Sequence, residues 1–401
     1  MFARPVDATN PYRGSADGAD NGAMTLVGHA SWAEKTLIDC GRFYPSDCKT
    51  PEARLRYYAS IFPLVEVDSS YYAIPSQTNT HNWAARTPEG FVFNVKAFRF
   101  FTGHQTDVQV LPRGVKELLP GRKRLLYRDT ADEVKDALWE AFYQSLEPLR
   151  LNGKLGLIHF QFPPSVVPSP RVVAHLESIR QKLPRDTISI EFRHSSWWDG
   201  TKRTVETLAM LRALGAVHTV VDGPRGFENS VPPVWEVTNP NCALVRLHGR
   251  NTETYNAAVS SPAERFSYEY SDDELKGIIA ETVRLAYKAR NAHMIFNNCD
   301  EDKGVRNGMT ALKMLVQYGD GRMPSLKDPF HPNGVLASVS VEELSAASSQ
   351  LPAPAKGEPE MREAEVDVAR IGRVRITFQL REMRHHKSSH MQRSAVFAQP
   401  I

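Results

Sequence analysis

The chain has 401 residues, enough for one large domain or two ordinary ones with a substantial core. Its formal net charge is only +3 at pH 7, so overall charge gives no case for binding nucleic acid or a membrane surface. No apolar run approaches the ~20 residues of a membrane helix, and four cysteines without CxxC spacing argue against a zinc site or a disulfide framework. We therefore expect a cytoplasmic protein.

Residues 1–23 are rich in Asp, Gly, Ala and Asn without periodicity, which predicts a disordered leader. From residue 24 to about 320, strand-like apolar runs alternate with helical patterns. The predicted strands are 25–27, 64–68, 91–96, 156–162, a run starting at 188, 218–222, 243–248 and 293–298. The predicted helices are 50–59, 77–86, 131–149, 171–182, 204–214, 272–289 and 304–318, with an insertion at about 102–128.

Eight strands alternating with helices in one unit are typical of an α/β fold, the (β/α)8 TIM barrel. A doubly wound open sheet is the alternative, but no glycine-rich dinucleotide fingerprint follows an early strand. Beyond the barrel, 321–358 reads as loop and linker. Residues 359–401 form a basic tail that we expect to be an irregular, poorly ordered extension, and a contact with nucleic acid is its functional alternative.

Polar side chains cluster where the predicted strands end. In barrel enzymes the site lies at these ends, and side chains two apart share one face of a strand. Seven strands thereby offer polar groups to one rim, to which neighbouring loops add others. The candidate ligand-binding residues are Arg193, Arg246, Asp68, Gln161, Asp222, Asn297, Trp32, His194 and Arg250. The candidate catalytic residues are Glu191, Glu66, Lys96 and His248.

Each of these residues also has a purely structural interpretation, because paired carboxylates and satisfied histidines are common inside proteins. The presence of both cations and carboxylates among these residues helps to distinguish a metal-binding site from a metal-free one. The cations Lys96, Arg193 and Arg246 compete for the same carboxylates that a divalent metal would need. We therefore predict no cofactor, without excluding a divalent ion, and expect Glu191 to pair with Lys96 and Arg246. A desolvated Lys96 could alternatively form a Schiff base.

The chain resembles the YecE-like family, also called domain-of-unknown-function family seventy-two. The stretches that carry the resemblance are 43–45, 65–72, 91–97, 160–164, 190–198, 245–251 and 296–298, which follow the family's order. The family's opening Gly-x-Ser/Gly-Gly-Trp is replaced here by Gly28-His29-Ala30-Ser31-Trp32. The resemblance implies a TIM barrel and no established activity.

Three functions remain open from the sequence. The first is binding or acid/base transformation of a small anionic or sugar-like ligand, with the arginines holding the anion and the carboxylates transferring protons. The second is a metal-dependent phosphodiesterase or a nucleic-acid-binding barrel of the endonuclease type, contacting phosphates through its basic segments. The third is a non-catalytic ligand-binding barrel. We expect a small-molecule anionic partner and no membrane.

Overall fold

A computed structural model of the protein describes residues 24–227, 230–257, 262–317, 360–368, 372–385 and 388–400. Eight parallel strands close a barrel in the order β1-β8-β7-β6-β5-β4-β3-β2. Their bounds are β1 Met24–Ala30, β2 Leu64–Val67, β3 Val92–Lys96, β4 Leu155–Gln161, β5 Thr187–Glu191, β6 Val217–Asp222, β7 Ala243–Leu247 and β8 Asn291–Phe296. The prediction of a (β/α)8 barrel is confirmed.

Helices surround the barrel, although the described residues between β6 and β7 contain none. They are α1 Lys35–Asp39, α2 Pro51–Ala59, α3 Gln77–Ala85, α4 Arg113–Glu117, α5 Asp132–Ser145, α6 Glu147–Leu151, α7 Pro170–Lys182, α8 Lys202–Ala213, α9 Pro262–Arg265, α10 Asp272–Ala289 and α11 Lys303–Gln317. Of the described helices, none is long and apolar enough to cross a membrane. The helix predicted over 131–149 is two helices, α5 and α6, because Pro148 near the start of α6 has no N–H to continue the ladder.

Hydroxyl side chains cap the starts of four helices. Thr50, Ser76 and Ser169 each accept a hydrogen bond from the backbone N–H three residues later, at the starts of α2, α3 and α7. At α10 the Ser271 hydroxyl and the Glu274 carboxylate form a reciprocal capping box. These caps orient the helices whose apolar faces pack on the outside of the barrel, where the main core lies.

The inside of the barrel changes character along its axis. The interior side chains near the starts of the strands are apolar and fully packed, namely Leu26, Leu64, Val92, Leu157, Val217 and Leu244. Farther along the strands most interior positions are polar and equally buried, namely Glu66, Asn94, Lys96, His159, Ser189, Glu191, Thr219, Arg246 and His293. Polar groups in such a position require partners inside the protein. The candidate site therefore sits on a sealed apolar base.

The insertion after β3 is folded onto the barrel. It contains α4 and a two-residue antiparallel ladder between Thr106–Asp107 and Arg124–Leu125. Phe100 and Phe101, just before it, are completely buried, and the Phe101 ring stacks on Trp139 at a centroid distance of 3.8 Å. The insertion thus covers the helices beside β3 and β4.

The tail differs from the expected poorly ordered extension. It forms an antiparallel three-stranded sheet of β9 Glu360–Val368, β10 Gly372–His385 and β11 Ser388–Pro400, with β10 in the middle. The physical reason is readable in the sequence, because residues 373–381 alternate polar and apolar types as a strand does. The predicted leader 1–23 and linker 321–358 lie outside the described residues.

Five histidines are buried within or against the barrel wall: His29, His159, His218, His248 and His293. Burial lowers the pKa of His29 and His218 to about 4 and that of His248 and His293 to about 3. Burial also lowers the pKa of His159. All five are therefore neutral in the folded protein at neutral pH.

These histidines predict acid sensitivity. Below the ordinary histidine pKa of 6.5 the unfolded chain binds protons that the folded chain does not, so the free energy of unfolding falls as pH drops from about 6.5 towards 4. Each histidine contributes up to about 1.4 kcal/mol per pH unit in that window. Urea unfolding at pH 7.5, 6 and 5 measures the slope.

Two variants test the origin of that slope. His218→Gln is expected to lower the pH slope of the free energy of unfolding by the contribution of about one proton. The His218 ring is buried, and among the described residues it is hydrogen-bonded only on its Nε2 side, to the Val234 carbonyl at 2.9 Å. His81→Gln is the control, since His81 is exposed on α3. Equal stability at pH 7.5 and 5 would contradict the prediction.

Candidate functional site

Arg246 on β7 lies at the centre of the barrel mouth, the end where the strands stop. It is completely buried, as are Glu66 on β2 and Glu191 on β5. Arg246 donates to both oxygens of Glu66, from Nη2 at 2.6 Å and from Nε at 3.1 Å, and its Nη1 donates to Glu191 Oε2 at 2.6 Å. We call these three residues the ionic cluster. It joins three strands of the barrel across its axis.

Glu191 is the most heavily bonded member of the cluster. Its Oε1 accepts from Gln161 Nε2 at 2.6 Å and from Arg193 Nη1 at 3.0 Å. On its other oxygen, His159 Nε2 lies 3.4 Å from Oε2. Burial alone would raise the pKa of Glu191, but Arg246, followed by the contacts with His248 and His159, together outweigh burial and hold that pKa well below its usual range. Glu191 is therefore a permanent anion and a poor proton donor.

Arg246 is likewise fully engaged in hydrogen bonds to carboxylates. Burial disfavours a charged guanidinium, yet Glu66 and then Glu191 more than compensate and raise the pKa of Arg246. Its Nη1 and Nη2 groups face carboxylates on both sides, and Asn297 Oδ1 lies 3.5 Å from Nη2. The predicted partnership of Glu191 with Arg246 thus occurs, whereas a role for Arg246 in holding an external anion would require displacing a buried carboxylate.

His248 closes the cluster on the β7 side. Asn297 Nδ2 lies 2.8 Å from its Nδ1, and Glu191 Oε1 lies 3.3 Å from its Nε2. Arg246 Nη1 lies 3.3 Å from the same Nε2. Arg193 Nη1 also approaches Nε2, at 3.2 Å. Burial is the main reason that the pKa of His248 falls to about 3, which makes it a neutral ring at the edge of the site.

Lys96 pairs with Asp68, not with Glu191 as the sequence suggested. Its Nζ donates to Asp68 Oδ1 at 2.7 Å and lies 4.7 Å from the centroid of the Tyr71 ring. Burial would lower the pKa of Lys96, but Asp68 raises it above the ordinary value. Burial would likewise raise the pKa of Asp68, and Lys96 lowers it. A lysine with a raised pKa is not the neutral amine that a Schiff base needs.

Asp222 lies on the opposite face of its strand. Val221 is in register with Arg246, and Asp222 with Leu247, which packs in the outer core. Asp222 therefore points out of the barrel, where Arg250 binds both its oxygens at 2.8 and 2.7 Å and the Tyr270 hydroxyl donates to Oδ1 at 2.8 Å. The rim prediction is wrong for Asp222, and Arg250 is its structural partner.

Two further candidates also lie away from the cluster. Trp32 is buried in an aromatic group with Trp83 and Phe93, at centroid distances of 5.5 and 6.2 Å. His194 begins a short turn in which its Nδ1 accepts from the Ser196 backbone N–H at 3.1 Å. Both positions are structural in this geometry. The structure thus brings together Glu66, Asp68, Lys96, Gln161, Glu191, Arg193, Arg246, His248 and Asn297.

A narrow cleft opens beside this group, between the ends of β5, β6 and β7. Arg193 and His248 form part of its wall, opposite Tyr255, Arg265 and Phe266. The last three were missed by sequence reasoning, because they come from the long connection after β7 and belong to no motif. Their only signal was that loops after barrel strands carry site residues.

The described part of the chain holds no group of three His, Cys, Asp or Glu side chains spaced to bind a metal ion. The carboxylates at the mouth are each occupied by a cation, Glu66 and Glu191 by Arg246 and Asp68 by Lys96. The geometry gives no specific support to the metal-dependent alternative.

The sequence matches the family described as "Protein of unknown function DUF72" over residues 26–329. The chain belongs to the DUF72 family. A curated relative, the UPF0759 protein YunF of Bacillus subtilis (strain 168), is 30% identical over 310 residues, which cover 77% of this chain and 100% of the relative. The resemblance drawn from the motifs is therefore confirmed.

Two solved DUF72 structures share the fold. The protein TM1631 of Thermotoga maritima MSB8 is 29% identical with a TM-score of 0.57, covering 73% of this chain and 99% of that one. The protein EF0366 of Enterococcus faecalis V583 is 26% identical with a TM-score of 0.60, covering 73% of this chain and 96% of that one. Membership of the family establishes the barrel fold, whereas the chemistry has to be inferred from the residues of the site.

The ionic cluster predicts a large loss of stability when its centre is removed. Arg246→Met leaves two buried carboxylates without their cation, so we expect the free energy of unfolding to fall by about 3–5 kcal/mol at pH 7. Arg284→Met is the matched control, because Arg284 pairs with Glu281 at the surface and is expected to lose less than about 1 kcal/mol. Urea unfolding measures both.

Glu66→Gln keeps the test valid if Arg246→Met does not fold. It preserves the shape of Glu66 and removes one charge, so a smaller loss is expected. A loss in Arg246→Met no greater than in Arg284→Met would show that the cluster does not stabilise the barrel.

Proposed function

We propose that the barrel mouth binds a small anionic, hydroxyl-bearing ligand through Arg193 and supports proton transfer at that ligand. The proposal rests on one observation above all. Arg193 uses only Nη1 for hydrogen bonding, and its Nε and Nη2 groups bond to no residue that the structure describes. A guanidinium anchored on one edge and open on the other is suited to a phosphate or carboxylate.

The surroundings of Arg193 favour an anion. Its side chain is 18% exposed and lines the cleft, as does the exposed Arg265. Glu66 and Glu191 together balance the charges of Arg246 and Arg193, so an anion is favoured by the open edge of the Arg193 guanidinium and by the nearby Arg265 rather than by a net positive charge. The ionic cluster acts here as a rigid support that fixes the orientation of Arg193 and not as the ligand contact itself.

Asp68 is the group best placed to accept a proton. Its side chain is 29% exposed, unlike the two buried glutamates. Its pKa lies below the ordinary value because Lys96 outweighs the effect of burial, so it is ionised at neutral pH. Lys96 beside it keeps its proton and could stabilise a developing negative charge. This assignment moves the acid/base role from Glu66 and Glu191 to Asp68, with neutral His248 as a second candidate.

This chemistry requires no cofactor, and we propose that none is used. We also place the protein in the cytoplasm, a proposal supported by its four cysteines, all of which are free thiols. The non-catalytic binding barrel makes the same prediction for ligand binding and differs only in turnover.

Arg193→Gln is expected to weaken the binding of inorganic phosphate and ribose 5-phosphate at least tenfold, because it removes the open guanidinium edge and leaves Arg246 on Glu191. Isothermal titration calorimetry at low ionic strength, with uncharged ribose as a blank, measures the affinities. Arg113→Gln is the control, since the Arg113 side chain is 95% exposed on α4. Equal phosphate affinity in wild type and Arg193→Gln, or no binding to wild type, rejects the proposal.

A further inference from the structure

Two adjacent tyrosines stand on the rim directly after β2. The chain turns through a short 3-10 helix, Ser69–Tyr71, and continues to Tyr72. Tyr72 is 55% exposed. Its ring is almost perpendicular to that of Tyr71, at 89° and a centroid distance of 5.0 Å. One face of Tyr72 is therefore braced by an edge-to-face contact while much of its surface meets solvent.

Tyr71 itself is held firmly in place. Lys96 Nζ and the Arg99 guanidinium lie 4.7 and 5.4 Å from its ring centroid, and the His104 ring packs at 5.4 Å. The turn below it is tied to the barrel by the Ser70 hydroxyl, which lies 2.8 Å from the Val67 carbonyl and 2.6 Å from the Lys96 carbonyl. The exposed ring thus belongs to a preorganised surface, which lowers the entropy lost on binding.

This aromatic pair is continuous with the proposed site. Lys96, which contacts Tyr71, also donates to Asp68 Oδ1 at 2.7 Å. Asp68 Oδ2 accepts no hydrogen bond from a residue that the structure describes. Tyr72 follows Asp68 by four residues, at the far end of the Ser69–Tyr71 turn. Contacts therefore connect the exposed Tyr72 ring, through Tyr71 and Lys96, to the open Asp68 oxygen at the end of β2.

We propose that Tyr72 stacks the planar ring of a ligand whose hydroxyls bond to Asp68 and whose anionic group binds at Arg193. The class that combines these three parts is a nucleoside monophosphate. The inference rests on the proposed function for the anionic end only. Stacking is tolerant of the base, because every base has a π-face, so the site is expected to prefer a ring without reading its identity.

Isolated exposed aromatic residues are common and usually have no function. Tyr287 on α10 is such a case, at 71% exposure. Tyr72 differs in being braced by a second ring, with cations over that ring, at the mouth of the barrel. Tyr287→Ala is consequently a matched control for Tyr72→Ala.

The test is calorimetric titration of the full-length protein with adenosine 5′-monophosphate, ribose 5-phosphate, adenosine and inorganic phosphate. In wild type and in Tyr287→Ala we expect the nucleotide to bind about tenfold tighter than ribose 5-phosphate. Tyr72→Ala should abolish that difference and leave the affinity for ribose 5-phosphate unchanged. Tyr72→Phe should retain it, because the ring and not the hydroxyl provides the stacking.

The outcomes separate this inference from the proposed function. If both phosphates bind wild type equally, or if the preference survives in Tyr72→Ala, the ring subsite is rejected while the anion site stands. If adenosine binds in a Tyr72-dependent manner but phosphate binding does not depend on Arg193, the ring subsite stands and the anion site is rejected. If none of the four compounds binds wild type, both are rejected.

Discussion

The contact between Arg246 and two glutamates is the constraint on which the rest of the barrel mouth depends. An arginine that is wholly removed from water is stable only with well-placed anions. Here Glu66 from β2 and Glu191 from β5 provide them, at 2.6 Å each. Because the three residues sit on separate strands, the pairing also fixes how those strands approach one another across the axis. Gln161 and Arg193 then complete the hydrogen bonding of Glu191.

The hydrogen bonding of the ionic cluster divides the polar residues of the barrel mouth into two groups. The residues that satisfy one another completely hold the site together, and they have little capacity left for a ligand. The residues with unused capacity are Arg193, with one guanidinium edge open, and Asp68, with one carboxylate oxygen open. Solvent exposure follows the same division, since Glu66, Glu191 and Arg246 are sealed and Arg193 and Asp68 are partly exposed. A search for function should therefore begin at the edge of the network.

Sequence reasoning reached the barrel and most of the site because both follow from short-range patterns. Alternation along a strand correctly places Glu66, Lys96, Glu191 and Arg246 inside the barrel. It failed at Asp222, because nothing in residues 218–222 shows that the neighbouring strand aligns Val221 with Arg246. The sequence of a single strand also does not show which charged side chains pair across strands. Glu191 was therefore the predicted partner of Lys96, although Asp68 lies nearer. In the tail, by contrast, a local pattern was overlooked. Its many basic residues led to the prediction of poor order, although polar and apolar residues alternate there as in a strand.

The two proposed ends of the ligand lie on strands that the same arginine joins. Tyr72 follows Glu66 by six residues after β2, and Arg193 follows Glu191 by two residues after β5. Arg246 binds both glutamates, so one buried guanidinium joins the two strands from which the proposed ring and anion subsites continue. A site whose two ends are fixed in this way loses little freedom when an extended ligand spans it. We therefore propose that the contact that stabilises the barrel also holds the two proposed subsites in place.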